Sequence, residues 1–227
     1  RLFPLPQTWT DNMAIAVHNV RLPRILMACL VGCALSAAGA SYQTVFQNPM
    51  AAPDILGASS GACFGAALAI LLSLPYAFIQ VNAFAFGIVA VGLAYFVCQR
   101  VSRGKDAILM LVLGGMIVST LFSSFITLTK YVADPDSKLP EITYWLMGSL
   151  SGTRLADVAR IAPAMAAGLF PLFLLRWKLN LLTLGDDEAR AMGVNAPRLR
   201  FLTVVCATLV TAASIAVSGM IGWVGLV

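Results

Sequence analysis

Six apolar runs dominate this sequence, and each is long enough to cross a lipid bilayer as a helix. The runs lie at residues 25–46, 55–74, 80–98, 107–129, 158–176 and 201–220. A bilayer core of about 30 Å is crossed by roughly 20 helical residues, and lipid offers backbone groups no other hydrogen-bond partner. Only 11% of the residues are charged, too few to cover a soluble domain of this size. We therefore predict an all-α, polytopic integral membrane protein with about six transmembrane helices.

The loops between the runs alternate between two faces of the membrane. Face B carries the loops 47–54, 99–106 and 177–200. Face A carries the segments 1–24, 75–79 and 130–157. Basic residues are divided almost evenly between the faces, but Arg100, Arg103 and Lys105 form a dense cluster in one short loop of face B. Since basic residues concentrate on the cytoplasmic side, this cluster favours face B as cytoplasmic and segment 1–24 as periplasmic.

Several classes of function are disfavoured by what these runs lack. The cores of the six runs contain no Asp, Glu, Lys, Arg or His, since Arg160 and Arg176 lie at the two ends of the fifth run, whereas ion-coupled transporters usually bury ionisable groups at membrane depth. There is no GxxxxGK[ST] phosphate loop and no HExxH or Ser/His/Asp constellation, so we expect no catalytic residues and no enzyme activity in this chain. The cysteines form no CxxC pair and His18 is the only histidine, so no metal or cofactor is expected.

The net charge of +5 is explained by membrane topology, and nucleic acid is not an expected partner.

Within the second run, Gly57, Gly61 and Gly65 stand four residues apart. Small residues at this spacing share one helix face and let two helix backbones approach closely. The pattern predicts close helix packing and is common to many polytopic proteins.

One charged segment, LGDDEARAMGVNAPRLR (184–200), separates the last two apolar runs. Acidic residues there, including Asp187 and Glu188, would occupy the first turn of a helix through 186–193, where the helix dipole favours them. Gly193 is placed to stop that helix. Ala189 and Gly193 stand four apart, which predicts a flat face suited to a partner's groove. An ordinary solvated loop is the alternative.

The same segment resembles a known docking motif. Its E-A-x-x-x-G pattern looks like the one by which membrane subunits of bacterial ABC importers dock on their ATPases. Three further stretches resemble the permeases for iron-siderophore, haem and vitamin B12 uptake: RLPRILMACLVGCALSAAGASYQTVFQNPMAAPDILGASSGACFGA (21–66), LPEITYWLMGSLSG (139–152) and SGMIGWVGLV (218–227). The four motifs occur in the family's order and spacing, over nearly the whole chain.

The resemblance implies a permease without its own energy source. Residues 1–227 would form a single, partial permease domain, since the family usually has ten transmembrane helices and this chain would lack the first and the last three. It would work in the bacterial inner membrane as a homodimer or with a homologous permease, alongside cytoplasmic ATPase subunits and a periplasmic binding protein. Residues 185–200 would form the cytoplasmic coupling loop. The implied cargo is an iron chelate such as a siderophore or haem, with cobalamin or an oxyanion as alternatives.

Two other classes of function stay open, an ion-coupled secondary transporter and a non-transporting membrane scaffold.

The resemblance also implies roles for individual residues. Arg21 and Arg24 match arginines that bind glutamates of the binding protein, although interfacial arginines with side chains extended to the headgroups would look the same. Both readings place them on face A.

Asn48 and Met50 match the segment that helps form the cytoplasmic gate in the resembling family. The alternative for Asn48 is capping of the helix that Pro49 ends. Tyr144 and Trp145 match a short outer helix that borders the pathway, and interface anchoring is the alternative for both.

Overall fold

The computed structural model describes residues 10–101, 107–221 and 224, and these residues contain helices but no strand. The helices are α1 (Asp11–Ala16), α2 (Leu22–Phe46), α3 (Ala58–Leu71), α4 (Tyr76–Val101), α5 (Ala107–Val132), α6 (Lys138–Leu146), α7 (Leu155–Leu182), α8 (Asp186–Ala191) and α9 (Ala196–Ser218). Five helical stretches in this part of the chain are long and apolar enough to cross a membrane. The prediction of an all-α polytopic membrane protein is confirmed.

The first span begins earlier than its apolar run suggests. Helix α1 leads through a π-helical turn, Val17–Arg21, directly into α2. Pro23 lies in the first turn of α2, where it cannot donate a backbone hydrogen bond to the preceding turn. The wider π turn just before it accommodates this loss without ending the helix. Much of segment 1–24 is therefore helical and continuous with the span, while residues 1–9 lie outside the described part.

The second apolar run forms a shorter helix than expected. Helix α3 has 14 residues, about 21 Å at 1.5 Å per residue, and this is less than the bilayer core. Its start is delayed by a 3₁₀ turn at Pro53–Leu56 and by Gly57, whose φ of +80° lies in the left-handed region. The span predicted at 55–74 is therefore longer than the helix that forms there, because the chain turns at residues 53–57 before α3 begins.

The other spans are longer than their apolar cores, since amphipathic side chains extend the helices beyond the lipid. Arg176, for example, lies inside α7 and places its guanidinium 4.2 Å from the centre of the Phe173 ring. Helix α9 is the most buried of the five candidate spans and packs against α2, α3, α4 and α7. It is the central helix of the bundle. Arg103 and Lys105, used above for orientation, lie outside the described residues.

The glycines of α3 lie against neighbouring helices. A methyl group added at Gly61 would come within 2.5 Å of the Ala90 Cβ and of the Phe86 carbonyl oxygen, both on α4. At Gly65 an added methyl would overlap the backbone of Asn82 in the same helix. Gly57 precedes α3 and lies against α5 instead, where an added methyl would be 3.2 Å from the Ser119 nitrogen, so it does not share the face of Gly61 and Gly65 as the spacing predicted. The small residues thus allow α3 to contact two helices at backbone distance.

Candidate functional site

An open cavity of about 1320 Å³ lies on face B, among the ends of α2 and α4 and the starts of α5 and α9. Most of its lining is apolar. Its amide and charged side chains are those of Gln47, Asn48, Gln99, Arg190 and Arg200. Residues from the predicted gate segment and from the charged segment 184–200 therefore line the same space.

The C-terminal end of α2 is stabilised by a specific backbone motif. Gln47 adopts φ +49° and ψ +36°, the left-handed conformation that commonly ends helices. The Asn48 backbone nitrogen donates to the Gln43 carbonyl oxygen at 3.1 Å, and the Gln47 nitrogen donates to Thr44 at 3.3 Å. These two bonds are those of a Schellman motif, in which the last helix carbonyls find partners.

Asn48 itself stabilises the turn that follows. Its Oδ1 accepts a hydrogen bond from the Met50 backbone nitrogen at 2.9 Å. The side chain is exposed and borders the cavity, and Met50 is 69% exposed. The α2 carbonyls that Asn48 was expected to cap are met by backbone nitrogens, including that of Asn48, whereas its side chain supports the following turn at the mouth of the cavity.

Helix α8 is a six-residue helix between two glycines with positive φ. Gly185 precedes it with φ +118°, and Gly193 follows it with φ +78°. The Gly193 nitrogen donates to the Arg190 carbonyl oxygen at 2.9 Å, and Val194 donates to Ala189 at 2.9 Å. This Schellman pair ends the helix at Ala191, two residues earlier than the predicted 186–193.

The flat, exposed face expected from Ala189 and Gly193 is not formed. Ala189 has no exposed surface and packs in an apolar cluster with Leu182 and Leu199. Gly193 lies beyond the helix end in a left-handed conformation, so the spacing of four does not place the two residues on one face. Ala189 instead fixes α8 to the ends of α7 and α9.

Ala189 is thus not part of the outer surface at α8. Glu188 and Gly193 are both exposed, and no heavy atom lies within 4 Å of the position that a Gly193 Cβ would occupy. The side chain of Asp187 lies outside the described residues. Arg190, Ala191 and Met192 are exposed as well, so among the described side chains the accessible part runs from Glu188 to Gly193, apart from Ala189.

Gln47 is a residue that the sequence analysis missed. Its Nε2 donates to the Leu182 carbonyl oxygen at 2.6 Å and so joins the end of α2 to the end of α7. A glutamine at the end of an apolar run looks like any solvated residue, and its left-handed backbone cannot be recognised from sequence. No signal in the sequence marks it.

On face A, Arg21 and Arg24 belong to one continuous helix and are both exposed. The Arg24 Nη2 donates to the Ser151 carbonyl oxygen at 3.2 Å, which connects α2 to the loop before α7. Arg21 lies in the π-helical turn. The geometry leaves both guanidinium groups accessible from outside the bundle.

Tyr144 and Trp145 lie on α6, a short helix on the same face. Tyr144 is 67% exposed. Trp145 is only partly exposed and packs against the apolar cluster that contains Ile142 and Ile215. The two neighbours therefore face different surroundings, and Tyr144 is the one that points outward.

Sequence comparison places this architecture in a known family. The FecCD transport family matches residues 4–227. The chain belongs to this family.

FecCD relatives with curated names are transport permeases for several cargoes. The "Probable iron chelatin transport system permease protein" of Helicobacter pylori is 39% identical over 96% of this chain and 65% of its own length. The hemin transport system permease protein of Yersinia pestis is 37% identical over 92% of the chain and 63% of its own length. This chain therefore spans a little under two thirds of the length of these relatives.

A solved structure shares the arrangement of helices. An inward-facing conformation of a metal-chelate type ABC transporter matches 98% of this chain and 71% of its own, with a TM-score of 0.90 and 36% identity. The helix bundle described above is thus similar to the membrane fold of this ABC transporter.

Proposed function

We propose that the chain is the permease subunit of a binding-protein-dependent ABC importer in the bacterial inner membrane. The observation that carries this proposal is the shared cavity on face B, whose lining includes both Asn48 of the predicted gate and Arg190 of α8. A partner that moves α8 would act directly on the walls of this cavity. The names of the FecCD relatives support transport as the activity.

Helix α8 is suited to transmit such a movement. The cluster of Leu179, Leu182, Ala189, Ala196 and Leu199 joins it to the ends of two long helices. Close packing makes such a unit move as one body, because packed interiors resist continuous deformation. An ATPase subunit on the cytoplasmic side would push on the exposed Glu188 and Gly193. The permease would pair with a second copy or a homologue around the pathway.

The proposed cargo is an iron chelate, with a ferric siderophore as the first choice and haem as the second. Molybdate and cobalamin permeases are also relatives of this chain, at 37% and 35% identity, so an oxyanion or cobalamin is the alternative class. The binding protein would select among these cargoes, since the cavity lining is mostly apolar.

Reconstitution tests this function. Proteoliposomes that contain the full-length permease, its ATPase and its binding protein should accumulate a radiolabelled ferric siderophore only when ATP is present on the ATPase side. Omitting the ATPase should abolish uptake. Accumulation driven by an ion gradient alone, without ATPase, would contradict the proposal and favour a secondary transporter.

Charge reversal at face A tests the binding-protein contact. We expect Arg21→Glu and Arg24→Glu each to weaken binding of the binding protein by about fivefold to 100-fold, because exposed guanidinium groups suit carboxylate recognition. The effect should shrink at high salt, where surface charges are screened. Surface plasmon resonance with detergent-solubilised permease would measure the affinities.

The matched control is Arg176→Glu, which reverses an exposed arginine on the opposite face. It should leave binding-protein affinity unchanged. Unaltered affinity in both face A variants would mean that Arg21 and Arg24 only anchor the helix at the lipid interface.

A further inference from the structure

The end of α2 has a conformation that its residue type does not favour. Gln47 and Ser73 are the two non-glycine residues with positive φ in the described part of the chain. Glycine adopts this conformation without steric cost, whereas a glutamine does not. The two Schellman hydrogen bonds offset part of this cost, and an interaction of the glutamine side chain would offset more.

The compensating interaction is the bond to α7. Leu182 is the last residue of α7, so its carbonyl oxygen has no partner within the helix. The Gln47 Nε2 donates to this oxygen at 2.6 Å. The leucine side chain is fully buried. The bond thus connects the α2 terminus to a well-packed point of the bundle.

This hydrogen bond joins the two segments that the proposed mechanism links, the gate segment and the apolar cluster that holds α8. On one side, Gln47 precedes Asn48, whose side chain holds the Met50 turn. On the other side, Leu182 packs with Ala189 of α8 in one apolar cluster. A displacement of α8 therefore reaches the gate segment through one apolar contact and one hydrogen bond.

We propose that Gln47 is a positioning residue that ties the gate segment to the α7–α8 corner, so that movement of α8 is passed to residues 48–50. This inference rests on the proposed function. If this proposal is correct, loss of the Gln47 donor should uncouple gate movement from ATP hydrolysis, two events that normally occur together. It does not predict loss of ATPase docking, since Gln47 is not on the exposed surface of α8.

The test measures gate movement without any cargo. The five cysteines would be replaced by alanine and Met50→Cys introduced, and labelling by a membrane-impermeant maleimide would be followed in the complex with the ATPase and binding protein, with and without ATP and vanadate. In this background, we expect nucleotide to change the labelling rate. Gln47→Glu, which removes the donor at nearly constant size, should reduce that change by about fivefold, the effect of one hydrogen bond. The ATP hydrolysis rate should stay near that of the background protein.

Three further variants separate the bond from its surroundings. Gln47→Gly relaxes the backbone but has no donor, so it should behave like Gln47→Glu, whereas Gln47→Lys restores a donor of similar reach and should recover most of the response. Ser73→Gly, at the other positive-φ position, should have no effect. A full nucleotide response in Gln47→Glu and Gln47→Gly would overturn the tie, as would a Gln47→Lys variant that fails to recover. If the background protein showed no nucleotide response at all, the gate assignment itself would be overturned.

Discussion

Gly193→Trp is expected to reduce association of the permease with its ATPase by about 30-fold or more, the loss typical of a disrupted interface centre. Gly193 is exposed next to α8, and the position of its Cβ is open space. An indole there would project into the surface that we propose the ATPase covers. Co-purification from detergent and a titration of the labelled ATPase would measure the effect.

The control for Gly193→Trp is Gly193→Asn. The φ of +78° strains most side chains, but asparagine tolerates this conformation better than other residues. Gly193→Asn should therefore keep most of the affinity, while both variants should fold and enter the membrane. Wild-type affinity in Gly193→Trp would show that the ATPase does not dock at this turn.

Gly61→Ala is expected to lower the free energy of unfolding by about 1–3 kcal/mol, the usual cost of overpacking a tight interface. The added methyl would approach the Phe86 carbonyl oxygen to 2.5 Å, and a backbone group cannot move aside as a flexible side chain can. The α3–α4 contact would have to open. Thermal unfolding in detergent should show a midpoint lower by about 2–4 °C per kcal/mol.

The matched control is Gly92→Ala, also within a membrane helix. No heavy atom lies within 4 Å of the position of its added methyl, so only the helix propensity changes. Alanine is favoured over glycine by up to about 1 kcal/mol in a helix, and the midpoint should stay constant or rise. Equal losses in the two variants would mean that the close α3–α4 approach does not limit stability.

Local sequence patterns predicted the helices well because lipid leaves the backbone few choices. A long apolar run must satisfy its own hydrogen bonds, so each of the six runs contains a helix at nearly the expected place. The stop at Gly193 was also predictable, since glycine is the residue that ends helices in the left-handed conformation. These features depend on residues within one or two turns of each other.

The candidate site was only partly predictable. The sequence placed Asn48 and α8 on the same face, because loops separated by an even number of spans must meet there. It could not show that they line one cavity. Ala189 was expected on the outside, but the six-residue helix turns it toward Leu182. A helix that short has no periodicity from which its buried side could be determined.

By itself, the sequence determined the class of protein, the positions of the membrane helices and the resemblance to a family of importers, because all three depend on local composition and on motifs along the chain. Tertiary structure alone decided that α3 is short, that Ala189 is buried and that Gln47 reaches Leu182. These features depend on contacts between residues far apart in sequence. The physical reason is that a glycine, an alanine or a glutamine has several acceptable surroundings, and only the packing of the other helices selects one.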